Sequence, residues 1–295
     1  MFFVDHGSAR GLKQILLLYL RSNTSDVMLQ EPGLSPYDLQ FNLLGFPVRV
    51  AWGFWIVAAV FGWGTSDTLD FVYASQNLDS PGAPILLMVW ISVMFVSILV
   101  HELGHSLAMR YYGIHSRIVL YHFGGLAIPD SFASWGGARQ RRVGPKEQIV
   151  ISAAGPLLQL LLGLGALGIA VRSGFLLPET RLFDAILGTD MSAGLKWAGS
   201  ASVTMLLSAL VFTSVFWAIL NLAPILPLDG GNITRSALQL SQVSQPIRAA
   251  HMVSVVAGGL IGLYFLSRGS PMAGIMFLIF AVNNWQAMQS GWGGY

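Results

Sequence analysis

The chain has 295 residues, of which 54% are hydrophobic and 10% charged, against about 25% charged in soluble domains. With a mean hydropathy of +0.62, this composition defines a polytopic membrane protein and leaves little room for a separate soluble domain. The net charge is +2 and the Lys and Arg are scattered, which gives no reason to expect nucleic acid; the absence of cysteine excludes disulfides, thiolate metal sites and cysteine nucleophiles.

Residues 1–45 are mixed and polar, with one apolar run at 15–20 that is too short for a signal-peptide core, so this segment is expected to lie on the surface. Phe46, Pro47, Val48 and Arg49 lead into the charge-free, aromatic-rich run 50–63, which predicts a first membrane helix with Arg49 snorkelling at its start. Residues 65–83 read as a polar loop holding Asp67, Asp70 and Asp79. A second span starts near Pro84 and runs to about Met109. The loop over 113–147 carries a strand at 118–121, then Phe123, Gly124 and Gly125, and later Arg139, Arg141, Arg142 and Lys146, a basic group suited to lipid headgroups. The third span is 149–171, a mixed loop covers 172–198, and further spans fall within 204–226, 252–267 and 271–288.

The expected fold is thus an all-α polytopic membrane protein of about six transmembrane helices, with a small β element after the second. With a cytoplasmic N-terminus, twelve of the sixteen basic residues fall on inner segments, and only Arg172, Arg181, Lys196 and Arg268 lie outside. The expected organisation is an N-terminal cytoplasmic or surface-lying segment (1–45), a membrane core (46–235) and a C-terminal two-helix membrane extension (236–295).

The second span ends in His101, Glu102, Leu103, Gly104 and His105. On a helix, residues 101 and 105 share one face, so two imidazoles reach one metal ion, and Glu102 is free to act on a water there. The H-E-x-x-H pattern arises by chance about once in several hundred chains of this composition. Two ligands are not enough for a catalytic zinc site, which takes three protein groups and leaves one position open. Of fourteen acidic residues, only Glu102 and Asp229 lie in or at the edge of an apolar run. An ionisable group at such a depth is expensive, and marks function by default. Asp229 therefore reads as the third ligand, although Asp-Gly is by itself a common turn. His6, His115, His122 and His251 fit no metal spacing and read as loop or satisfied interior residues.

HELGH in a membrane span, followed by Asn221, Pro224, Pro227, Leu228, Asp229, Gly230 and Gly231, resembles the site-2 protease family of intramembrane zinc metalloproteases. Phe123, Gly124 and Gly125, and the run Ala153, Ala154, Gly155 and Pro156, add to the likeness, which covers residues 45–235 and in layout is similar to the six-span, sigma-factor-processing branch. Gln159 departs from it, since family members often carry Asn there.

The resemblance implies a zinc endopeptidase, with one Zn2+ per chain held by His101, His105 and Asp229, and Glu102 as general base and then acid. It implies a substrate segment unwound from helix, with Gly124 and Gly125 offering a strand edge to it; an ordinary turn is the other reading of that pair. Asn221 would hydrogen-bond the substrate or the backbone of the site. Gly155 and Pro156 read as helix packing and a kink before they read as substrate contacts. The implied partners are a membrane-spanning or membrane-inserted protein substrate and the lipid bilayer, with a regulatory membrane protein as a further candidate and no nucleic acid. The implied location is the cell membrane with the active-site side cytoplasmic. The competing reading is a non-catalytic metal carrier or a protein that binds transmembrane helices without cutting; the presence of Glu102 argues against it.

Overall fold

The computed structural model describes residues 31–122, 124–129 and 143–290. The 15–20 run, Phe123, Arg139, Arg141 and Arg142 lie outside the described residues.

The chain enters as a hairpin of β1 (Leu39–Leu43) and β2 (Phe46–Val50), closed by Leu44 and Gly45, both at positive φ (51° and 84°). Two successive left-handed residues make the tight turn whose twist matches paired strands. Helix α1 (Trp52–Ser75) and helix α2 (Ala83–Tyr111) then cross back, and β3 (Ser116–Tyr121) pairs parallel to β2, with Val48 opposite Ile118. β4 (Gly124–Pro129) returns antiparallel on β3 and, among the described residues, is an edge of the sheet, whose order is β1-β2-β3-β4. The sheet is therefore larger than expected: two of its strands precede the first helix. Their alternation is short and interrupted by Pro47, and only the parallel partner β3, some seventy residues on, makes β2 an interior strand. Val48, Val50, Ile118 and Leu120 are buried against Phe54 and Ile98, so sheet and helices share one core.

Helix α3 (Pro145–Arg172) follows, with Pro145 at its first turn and Glu147 accepting a hydrogen bond from the Gly144 N–H at 2.9 Å. Helix α4 (Pro178–Leu187) ends at Gly188 in the left-handed conformation. Helix α5 (Ala201–Val211) passes through a π-turn, Phe212–Phe216, into α6 (Trp217–Asn221). After a loop come α7 (Asp229–Leu240), α8 (Pro246–Ser267) and α9 (Pro271–Ser290).

Among the described residues, four helical stretches are long and apolar enough to cross a membrane: Ala83–Tyr111, Pro145–Arg172, Ala201–Asn221 and Pro246–Ser267. Large apolar side chains such as Val60, Leu161, Val256 and Leu260 stand exposed along the helices. α1 and α9 occupy the places expected for the first and last spans and pack on α2 and α8.

Two expected loops are helical. Residues 65–75 belong to α1, which carries Asp67 and Asp70 on half-open or exposed positions while Ser66 and Tyr73 turn inward. Gly62 lets α1 approach α2 there, since a Cβ on it would lie 2.2 Å from Trp90 Cδ1. Within 172–198, Pro178 and Gly188 are start and stop signals for α4. The loop reading also missed Glu179, which is buried with its Oε1 accepting from Ser208 Oγ at 2.7 Å.

Candidate metal centre

The site is built where α2 and α3 run antiparallel. Ser97, His101 and His105 stand four residues apart on α2, and Ile151, Gly155 and Gln159 stand four apart on α3, so each triplet forms one stripe. The stripes meet in reverse order. A Cβ on Gly104 would lie 2.5 Å from the Ala154 carbonyl oxygen, and one on Gly155 would lie 2.3 Å from His105 Nε2. Close approach of the two backbones is what seats the His105 ring, so Gly155 serves packing, with no need to invoke a substrate contact.

The ring orientations follow from acceptors. His105 Nδ1 faces the Ile151 carbonyl at 2.7 Å and must donate to it. Gln159, with no exposed surface, sends Nε2 to the Thr213 carbonyl in the π-turn at 3.3 Å and to Ser97 Oγ at 2.9 Å. A carbonyl only accepts, so the amide is fixed with Oε1 towards His101 Nδ1, 2.8 Å away, and His101 Nδ1 also donates. Both rings therefore direct Nε2 into the site, as a bare lone pair whenever the ring is neutral.

Those lone pairs meet a carboxylate. The two Nε2 atoms lie 3.1 Å apart, His101 Nε2 is 3.1 Å from Asp229 Oδ2, and His105 Nε2 is 3.3 Å from Asp229 Oδ1. With the rings neutral, four acceptor atoms converge, an arrangement that a shared cation resolves, and two imidazoles and a carboxylate are a ligand set that fits zinc. Asp229 is brought in at the first turn of α7. Gly230 and Gly231 fold that turn onto the preceding loop, since a Cβ on either would lie within 2.4 Å of the backbone at Leu222 or Ile225.

Glu102 is as buried as the two rings, and one of its oxygens also lies within 4.8 Å of their nitrogens. Its surroundings differ from those of Asp229. It lies under β4, where a Cβ on Gly125 would be 2.3 Å from its Cγ and 2.5 Å from Oε1. The bare backbone of Gly125 therefore makes the space that the Glu102 carboxylate occupies. A cavity of about 330 Å3 opens over these groups, bounded by Glu102, Tyr121, Gly125, Trp217, Asn221 and Phe277. Asn221 is half-buried at its wall, and its side chain has no hydrogen-bond partner among the described residues. Gly124 stands beside Gly125 at the start of β4, with φ at 128°.

Sequence reasoning did not reach Tyr121, Trp217 or Phe277, which lie in ordinary apolar runs with no periodic signal to set them apart. Gln159 did carry one: it is the lone amide in the third apolar run and completes the Ile151, Gly155 stripe.

Buried imidazoles and a carboxylate are gathered between membrane-length helices, beside a second carboxylate in a cavity, and make a donor set suited to a metal ion. The model of Peptidase family M50 matches residues 89–264, more than half of the chain, and the chain belongs to that family, the site-2 proteases. A Synechocystis protein curated under a zinc-metalloprotease name is 31% identical over 53% of this chain and 33% of its own length. A zinc metalloprotease of Methanocaldococcus jannaschii is 29% identical over 50% of this chain and 33% of its own. The matched part thus spans about a third of each curated relative. A solved structure, the site-2 protease from Methanocaldococcus jannaschii, aligns over 85% of this chain and 94% of that one at 21% identity and a TM-score of 0.47.

Proposed function

We propose that the chain is an intramembrane zinc endopeptidase that hydrolyses a peptide bond in or near a transmembrane segment of a membrane-associated protein. The observation that carries this is the placement of Glu102 beside, and distinct from, the converging His101, His105 and Asp229. A carrier or a helix-binding protein needs no such second carboxylate. Zinc bound by the three ligands supplies Lewis acidity for the scissile carbonyl and makes water nucleophilic near neutral pH.

The protein's own groups do the rest. Glu102 takes a proton from the attacking water as the new C–O bond forms, then returns it to the amide nitrogen as the C–N bond breaks. Gln159 and the Ile151 carbonyl keep the imidazoles in one tautomer throughout. The outer edge of β4 at Gly124 and Gly125 offers backbone groups to an unwound substrate strand, and the free Asn221 amide faces the same cavity. The apolar wall at Trp217 and Phe277 suits apolar side chains from a membrane segment. Six spans with a cytoplasmic N-terminus complete the reading, which makes the bilayer and a membrane-inserted protein the partners.

Purified chain incubated with a library of transmembrane peptides tests the proposal. Cleavage is expected from the zinc-loaded protein, and Glu102→Gln is expected to retain zinc while cutting at least about a hundredfold more slowly. Cleavage by Glu102→Gln at the native rate would overturn the assignment of the base.

A further inference from the structure

Beyond residue 264, where the family match ends, the chain continues into α9, and this last helix reaches back to the metal loop. The loop between α6 and α7 contains Pro224 and Pro227, which have no N–H to give. Leu226, between them, sends both of its backbone polar groups outside the loop. Its N–H donates to Ser254 Oγ on α8 at 2.9 Å, and its carbonyl accepts from Asn284 Nδ2 on α9 at 2.6 Å. Ser254 has no exposed surface and Asn284 only 4%.

Both side chains are themselves locked. Ser254 Oγ donates to the Ala250 carbonyl at 2.8 Å, which leaves a lone pair for the Leu226 N–H. Asn284 Nδ2 also donates to the Phe280 carbonyl at 2.8 Å; two acceptor-only partners fix the amide, so Oδ1 faces His251 Nδ1, which donates to it at 2.8 Å. His251 is thus a satisfied interior residue, and its partner is this clamp.

Two residues separate Leu226 from Asp229, and the glycines after Asp229 pack on the same loop backbone, within 2.4 Å of Leu226 N for a Cβ on Gly231. A shift of the Leu226 peptide therefore moves the carboxylate. We propose that Ser254 and Asn284 are positioning residues for Asp229, so that the α8–α9 hairpin sets the metal affinity of a site to which it contributes no ligand. This rests on Asp229 being a ligand.

The test is a double-mutant cycle on zinc affinity, read by competition with a zinc-binding dye on the purified full chain. Ser254→Ala and Asn284→Ala are each expected to weaken zinc binding by about tenfold, at the lower end of what outer partners of a metal site contribute. Ser254→Thr, which keeps the hydroxyl, should restore the native affinity. In an Asp229→Ala background the same substitutions should change affinity by less than about twofold, because the group they position is gone. Equal losses in both backgrounds would mean general loosening of the fold and overturn the proposal, as would native affinity in Ser254→Ala. If Asp229→Ala alone binds zinc normally, the ligand assignment fails instead. Should Asn284→Ala not fold, Ser254→Ala carries the cycle alone.

Discussion

Two aspartates at opposite ends of the membrane helices are held in opposite ways. Asp184, half-buried on the connection between α3 and α5, is satisfied by its own neighbourhood. Its carboxylate accepts from Thr189 Oγ1 at 2.7 Å, the Met191 N–H at 2.6 Å and the Ser192 N–H at 2.8 Å. Asp229 faces two rings whose Nδ1 protons are committed elsewhere, so that in their neutral form it meets acceptors where Asp184 meets donors. A carboxylate closed by its own loop is complete in the folded chain. A carboxylate aimed at two bare imidazole nitrogens is complete only with a cation, and that incompleteness is the functional signal.

The comparison breaks most decisively if removing a ligand leaves zinc affinity at its native level. His101→Ala or Asp229→Ala is expected to weaken zinc by about a hundredfold or more, leaving a residual affinity that dye competition still reads, and to abolish cleavage; exhaustive chelation of the native chain is expected to abolish cleavage too, checked by metal analysis and peptide cleavage. Gly125→Ala should cost up to about a hundredfold in cleavage with zinc retained, because the new methyl occupies the space of the Glu102 carboxylate. Metal content measured beside the rate separates this from ligand loss. Gln159→Leu removes the acceptor from His101 Nδ1 and should weaken zinc by about tenfold, read by dye competition.

The smallest effect belongs to Asp184. Hydrogen bonds from Ser192, Thr189 and Met191 hold its carboxyl at about 2, below the ordinary 3.8. A depressed folded-state value stabilises the loop above the unfolded value and loses that support as pH falls. Hydrogen exchange at Met191 and Ser192 should therefore quicken as pH drops from about 4 towards 2, after correction for the intrinsic rate, and Asp184→Asn should remove the pH step without altering cleavage at neutral pH.

The metal helix was legible because its signal is local: His101, Glu102 and His105 depend only on a helix repeat. Asp229 was legible by exclusion, as an acid where the composition allows almost none. The third apolar run was readable as a span, but the role of Gln159 was not, since its partner His101 lies 58 residues away. β1 and β2 escaped for a related reason: a short strand gains meaning from the strand beside it. Helix α4 had readable end signals, yet its short, charged interior, with Glu179, Arg181 and Asp184, looks like loop beside the apolar runs around it.

The sequence alone determined that this chain lives in a membrane, that one helix presents two imidazoles and a carboxylate, and that a distant aspartate must have a purpose. Periodicity and the cost of burying charge act on residues one at a time or one turn apart, so they survive without a fold. Only the tertiary structure decided which imidazole nitrogen is bare, which carboxylate faces the rings and which lies under Gly125, and that the last helices hold the metal loop. Those are matters of hydrogen-bond direction between elements far apart in the chain, and no property of either element alone contains them.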